Sequence, residues 1–257
     1  MKSLWLETAP VIPTDPFDPG ASYDTVVVGA GLTGLTTAAL LARSGQRVAV
    51  LEARTVGAVT TGNTTAKVSL LQGTQLSSIT SHHNAETARQ YVEANRQGQS
   101  WLLRFCDENG IGYEVRDAYT YATTEQGLKS LRKEHEAAQA AGLDVEFTTE
   151  TELPFGITGA LRLRDQAQIH PLAVLAGLAE DYRKHGGILI GNIEDTLKNL
   201  AKKYKLFIVS NCEDGYIQSY LEGHDFGKYF TDFACPGTTG LLKGDNIKLM
   251  VERHNLK

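Results

Sequence analysis

Sulfur is scarce in this chain: 257 residues carry three cysteines and two methionines. Cys106, Cys212 and Cys235 lie far apart, with no C-x-x-C pair and no Cys/His ligand spacing, so nothing marks a disulfide framework or a metal site. Buried thiols in a reducing cytoplasm are the expectation. Long apolar runs are missing as well; none approaches the roughly 18 uninterrupted residues that a membrane span needs. An excess of positive charge is also lacking, with 25 Lys and Arg against 30 Asp and Glu, net charge −5 and pI near 5.8. That balance argues against a broad basic face, so neither nucleic acid nor a membrane is expected as a partner. Proline is rare beyond the start, since Pro10, Pro13, Pro16 and Pro19 are four of the seven. Residues 1–22, with one Lys and no apolar core of signal-peptide length, read as an extended arm that marks no secretion. What is present, 42% hydrophobic content over this length, suffices for one large core or two smaller ones.

Composition changes along the chain. Up to residue 190 there are 11 Arg, 5 Lys and 24 Ala; from 191 onward there are 1 Arg, 8 Lys and 2 Ala. No Gly/Ser or Pro-rich linker separates the two parts. The shift divides the chain after residue 190, so that beyond the arm it reads as residues 23–190 and 191–257.

The clearest chemistry lies in "YDTVVVGAGLTGLTTAALLARSGQRVAVLEAR". Thr25 to Val28 is a β-branched run suited to a buried parallel strand, and Leu35 to Arg43 is Ala/Leu-rich helix. Between them Gly29, Gly31 and Gly34 keep G-x-G-x-x-G spacing. Gly29 permits the tight turn, Gly31 lets a pyrophosphate approach the backbone, and Gly34 lets helix and strand pack closely. The phosphate charge then meets free N–H groups at the helix N-terminus. A second strand, "RVAVLE", ends at Glu52, 18 residues after Gly34, where a carboxylate can accept ribose hydroxyls. Fingerprint and spacing serve NAD and FAD alike. Further on, "TTGNTTAKVS" is too polar for a core strand and rich in groups that can bind phosphate or flavin edge atoms.

Together "VVVGAGLTGLTTA", "VLEAR" and "TTGNTTAKVSLLQG" resemble the D-amino-acid-oxidase-like FAD-dependent oxidoreductases, in particular a bacterial branch whose members often carry a C-terminal Rieske domain. The resemblance runs through "WLLRFCDENGI" and "RDQAQIHPLAVLAGLAEDYRKHGG", covering roughly residues 2–188. It implies FAD as cofactor, with Gly29, Gly31, Gly34, Glu52 and Arg54 on its adenine-dinucleotide half. It places Thr61, Asn63, Thr64, Thr65, Ala66 and Lys67 beside the pyrophosphate or isoalloxazine; Lys67 could equally be a solvated loop lysine. Residues 84–141 hold two helical patterns in the implied substrate cap, the second with Leu128, Leu131, His135 and Ala138 on one face. His135 reads as a packed histidine, and His170 before Pro171 as a helix start. No catalytic acid or base is assigned, because in flavin enzymes the cofactor accepts the hydride. The Rieske ligand pairs C-x-H and C-x-x-H are absent, so no iron–sulfur cluster and no metal is expected.

After "RKHGG" the resemblance implies a strand, further sheet and a late Gly-rich segment, none of which is legible. The reading therefore places a join within "ILIGN" and treats the first portion as truncated relative to its family. The remainder alternates "IEDTLKNLAKKY" (helix), "KLFIVSN" (strand), "EDGYIQSYLEGHDFGKYF" (helix), "TDFAC" (strand) and "LLKGDNIKLMVERHNLK" (helix). This run resembles the middle of a haloacid-dehalogenase-like hydrolase of the phosphoglycolate-phosphatase type. The resemblance implies phosphate held by Ser210, Asn211 and Lys243. Such hydrolases attack with an Asp of a D-x-D motif, and none occurs here, so phosphatase activity is not expected.

The fold class predicted is α/β: a Rossmann-type FAD-binding βαβ portion with a partial α+β cap, followed by a small Rossmannoid α/β segment. The strands of the second unit either dock on the first sheet or pair among themselves, and docking is expected because a two-stranded unit alone is marginal. Substitution for the missing strands would place Leu206 to Ser210 beside Thr25 to Val28 or Val48 to Leu51. Two functions stand: an FAD-dependent oxidoreductase acting on an amine or hydroxyl-bearing carbon, with a small-molecule substrate and a redox acceptor, or a non-enzymatic chimera of two incomplete domains.

Overall fold

The computed structural model describes residues 3–18, 20–191, 193–224 and 226–256, and the side chains of all these except 193–196 and 224. The chain opens with a single helical turn, α1 (Leu4–Glu7), capped by Ser3, whose hydroxyl accepts from the Leu6 N–H. The arm is therefore not simply extended. The Trp5 indole N–H donates to the Thr64 carbonyl at 2.8 Å and the Ser3 hydroxyl donates to the Gly62 carbonyl. Further along, Asp15 bridges Ile190 as a parallel partner. Buried apolar contacts and paired backbone groups, which sequence polarity does not report, hold the arm in place.

The strand β1 (Thr25–Val28) leads into α2 (Leu32–Arg43) and then β2 (Val48–Leu51), with β1 and β2 parallel and Thr25 opposite Val48. Leu35, Ala38, Ala39 and Ala42 form the buried stripe of α2. β1 differs from the buried strand expected. Val26 and Val28 are 51% and 83% exposed, because only β2 pairs with β1 and one of its faces is uncovered among the described residues.

The cap begins at β3 (Lys67–Val68), a short strand within a stretch that sequence polarity argues against. It continues through α3 (Gln75–His82), α4 (Ala85–Glu108), β4 (Tyr113–Ala122), α5 (Glu125–Ala140), β5 (Glu146–Thr148) and β6 (Gly159–Ile169). β6 is the hub, antiparallel to β4 on one side and to β3 and β5 on the other. Leu131 and Ala138 of α5, Leu76 of α3 and Val92 of α4 pack on Leu161 and Leu163 of β6 as one core. Buried Glu134 closes that core at the N-terminus of α3, accepting the Leu76 and Ser77 amides at 3.0 and 2.7 Å. His135 meets the Val145 carbonyl at 3.0 Å, in keeping with a packed histidine. α4, about 36 Å long at 1.5 Å per residue, places its later residues Leu102, Phe105 and Cys106 in the other core, against α2.

The chain returns to the first sheet through α6 (Pro171–Lys184) and β7 (Ile188–Ile190). His170 caps α6, its Nδ1 accepting from the Ala173 N–H at 3.2 Å. Arg43 of α2 makes a two-pronged pair with Asp181 of α6, at 2.8 and 2.9 Å. β7 is the strand that could not be read after "RKHGG". It lies parallel to β2, with Ala49 opposite Ile188, and completes the order β1-β2-β7. Its three residues are too few for a periodic signal, and tertiary pairing makes them a strand. The buried Tyr182 hydroxyl secures the return, sharing its one proton between the Val48 and Ile188 carbonyls and accepting from the Ile188 N–H at 3.0 Å.

The remainder forms α7 (Ile193–Ala201), β8 (Phe207–Val209), α8 (Tyr216–His224), β9 (Asp232–Ala234), α9 (Pro236–Thr239) and α10 (Lys243–Arg253). A separate 3-10 turn, Gly227–Tyr229, follows α8 where one longer helix was expected. Among the described residues β8 pairs in parallel with β9 alone, so the strands of this unit pair among themselves and substitution for a strand of the first sheet is overturned. Ile217, Leu221, Phe226 and Cys235 give this unit a core of its own, which removes the need to borrow a sheet.

Burial drives the Tyr182 phenol up to about 12. Replacing it, Tyr182→Phe, removes the one proton that the two carbonyls share and an acceptor for the Ile188 N–H, at a cost of about 1–3 kcal/mol. Urea unfolding of the two proteins should show that difference in midpoint with little change in slope.

Candidate functional site

The glycine turn is built by contact, not merely by composition. Gly29 has φ +102°, and its N–H donates to the Leu51 carbonyl at 2.7 Å, tying the end of β1 to β2. A Cβ on Gly34 would lie 1.9 Å from the Gly29 carbonyl oxygen, so α2 crosses the turn at a distance only glycine allows. Gly31 caps α2 without a side chain, leaving its first-turn N–H groups directed at whatever sits above the turn. One of them, from Leu32, reaches the Thr61 hydroxyl at 3.2 Å.

Glu52 sits where β2 ends. Its carboxylate accepts the Ala30 N–H at 2.8 Å and the Arg54 N–H at 2.8 Å, which aims it across the glycine turn. Gly29, Gly31, Gly34, Glu52, Arg54 and Thr61 are thus assembled around one helix N-terminus.

The rest of the predicted segment is distributed differently. The Asn63 amide donates to the Val59 carbonyl at 2.6 Å, within its own turn. Thr64 holds the arm through Trp5, and its hydroxyl accepts the Ala66 N–H at 3.2 Å. Ala66 is buried at φ +61°, a left-handed conformation that a non-glycine residue holds where its surroundings enforce it. The Ile169 N–H donates to its carbonyl at 3.1 Å, and this turn brings the chain into β3. Thr65 and Lys67 are exposed, Lys67 on the cap sheet opposite Gln168.

Lys67 borders a cleft of about 530 Å³ on the sheet face away from the helices, together with Arg116, Asp117, Tyr119, Tyr121 and Gln168. The period of two along β4 explains this face: Ala122 enters the cap core while Tyr119 and Tyr121 point away from it. Sequence reading missed these strand residues, since β4 was not foreseen between two helices. A bulge at Asp117 turns its carboxylate to Arg162, whose Nε lies 2.6 Å away and whose guanidinium rests over the Tyr119 ring. Hydrogen bonding from Arg162 holds the Asp117 carboxyl below the ordinary carboxylate range.

The second predicted cluster is less assembled. Ser210 follows β8, its N–H bonded to the Ala234 carbonyl at 3.1 Å, while Asn211 and Lys243 are exposed. Among the described residues these three make no hydrogen bond to one another. No group of three or more His, Cys, Asp or Glu suited to a metal occurs among the described residues, and no helix there is long and apolar enough to cross a membrane.

A parallel strand pair, a glycine turn pressed beneath a helix N-terminus and an acidic residue directed across it define a dinucleotide-binding α/β protein. The chain belongs to the family described as FAD dependent oxidoreductase, whose model matches residues 24–207, and FAD is the cofactor of that family. The matched range runs past β7 and α7, beyond the join placed at "ILIGN". The chain is 35% identical over 166 residues to "Putative Rieske 2Fe-2S iron-sulfur protein YhfW" of Bacillus subtilis (strain 168), covering 64% of this chain and 33% of that protein. It is 26% identical over 182 residues to gamma-glutamylputrescine oxidoreductase of Escherichia coli (strain K12), covering 68% of this chain and 43% of that one. It thus spans between a third and a half of these relatives' length. Among solved structures, L-amino acid deaminase from Proteus myxofaciens shares the fold, with TM-score 0.56 and 18% identity over 74% of this chain and 42% of that chain.

The Asp117 carboxyl, depressed in the folded chain, contributes stability above the ordinary carboxyl pKa of about 4 and loses it as pH falls through the depressed value. Asp117→Asn should therefore lower stability modestly near neutrality, the pair being partly exposed. Denaturant melts of the two proteins should converge as pH falls below that depressed value.

Proposed function

We propose that this chain holds the adenine-dinucleotide half of FAD through Gly29, Gly31, Gly34, Glu52 and Arg54, with residues 61–67 facing its pyrophosphate or isoalloxazine, and serves oxidation of an amine-bearing or hydroxyl-bearing carbon. One observation carries the reading: the first-turn N–H groups of α2 open onto a turn that Gly34 keeps free of any Cβ. A diphosphate suits that end of a helix. A carboxylate offers about four acceptor positions, and two backbone donors occupy Glu52, leaving room for ribose hydroxyls. When bound, FAD supplies the acceptor for a hydride from the substrate carbon. The work of Lys67, Tyr119 and Tyr121 is then to position the substrate and exclude water in the cleft they line. Relatives named for amine and amino-acid chemistry favour the nitrogen-bearing substrate. The partners are then a small molecule and a redox acceptor, in a reducing cytoplasm compatible with three free cysteines.

The spectrum of the purified protein tests this. Flavin absorbance as isolated, or after incubation with FAD and desalting, is expected, together with a cooperative thermal transition that FAD raises. Protein that stays colourless in FAD sinks the proposal, and broad melting indifferent to FAD favours the non-enzymatic chimera. Glu52→Ala should weaken FAD binding about tenfold or more, near 1.4 kcal/mol.

A second reading concerns residues 191–257, which we propose form a haloacid-dehalogenase-like fragment with phosphate affinity at Ser210, Asn211 and Lys243. Ser210 lies just past the carboxyl end of β8, where open α/β sheets take ligands. Calorimetric titration with inorganic phosphate should show weak binding that Ser210→Ala and Lys243→Ala abolish. No binding heat in the wild type overturns it, and no magnesium-dependent phosphate release is expected.

A further inference from the structure

Cys212 and Cys235 are distant in sequence and adjacent in the fold. β8 and β9 run parallel with Val209 opposite Ala234, so the loops that follow them leave the sheet side by side. Cys235 follows β9 directly, and Cys212 lies shortly past β8. The two loops touch through their backbones. The Gly237 N–H donates to the Cys212 carbonyl at 3.4 Å, and a Cβ on Gly237 would sit 2.0 Å from the Asp214 nitrogen. The Cys235 sulfur lies 3.5 Å from the Thr238 hydroxyl and 3.8 Å from the Glu213 carbonyl, in the loop that carries Cys212. Both cysteines pack in the same apolar cluster, Cys235 fully buried and Cys212 partly open, whereas Cys106 is buried in the first core.

We propose that Cys212 and Cys235 form a redox pair that hydrogen peroxide closes to an intramolecular disulfide, stapling the loop after β8 to the start of α9. Cys212, the partner open to solvent, reacts first: its thiolate attacks peroxide, the O–O bond breaks, water departs and a sulfenic acid forms. The Cys235 thiolate then attacks the Cys212 sulfur; an S–S bond forms, the S–O bond breaks, and the oxygen leaves as water with the Cys235 proton. Two thiols and one peroxide become one disulfide and two waters. Hydrogen bonding from Thr238 holds the Cys235 thiol below its usual range, which favours the second step.

Peroxide treatment of the full chain, followed by alkylation and non-reducing peptide mapping, tests this. The expected product is one cross-link between the peptides holding Cys212 and Cys235, with a mass loss of about 2 Da and reversal by dithiothreitol. Cys106→Ser should give the same cross-link, and Cys235→Ser should leave Cys212 as a dimedone-reactive sulfenic acid. Gly237→Ala, which forces the loops apart, should lower the yield of cross-link several-fold. Oxidised Cys212 beside a free Cys235 thiol, a cross-link that uses Cys106 or a second chain, or three untouched thiols overturns the proposal. Should a variant fail to fold, mapping of the wild-type chain decides alone.

Discussion

The first sheet depends on one phenol. Tyr182, near the end of α6, is fully buried and spends its hydroxyl on three backbone groups, the Val48 and Ile188 carbonyls and the Ile188 N–H. A polar atom at the centre of an apolar core is costly unless every partner is present, so the arrangement is close to all-or-none. Strand β7, helix α6 and strand β2 are thereby held together, and the Arg43 pair with Asp181 fastens α2 to the same helix. Gly187 belongs to this constraint, since a Cβ there would enter the Tyr182 ring.

The consequence for the candidate site is positional. With α2 held on the sheet, its N-terminus sits above the glycine turn, and Gly34 against Gly29 sets how closely. The N-terminal arm strengthens the opposite wall, because Trp5 and Ser3 hold the turn from which Thr61 reaches α2. α4 contributes at longer range: one half packs in the cap core and the other in the core that holds α2, so the cap and the first sheet share one element.

Much of the dinucleotide loop was legible because its chemistry is local. Gly29, Gly31, Gly34 and Glu52 lie within two strands and a helix whose periodicity is clear, and each has a role that only its residue type can fill. Other parts were illegible for equally physical reasons. β3 and β7 are very short and take their strand character from partners distant in sequence. The cleft-lining Tyr119 and Tyr121 carry no motif; they matter through the face of β4 on which they fall. The join expected within "ILIGN" lies inside a strand of the first sheet, and the family match continues to residue 207.

By itself the sequence determined the βαβ glycine turn, its acidic partner and the change of composition near residue 190, because propensity, spacing and charge are properties of neighbouring residues. Only the tertiary structure decided where strands pair, that the arm is structural, that the last unit keeps its own two-stranded sheet, and that the loops carrying Cys212 and Cys235 touch. Those outcomes depend on burial and backbone pairing between segments far apart in the chain, which no local pattern encodes.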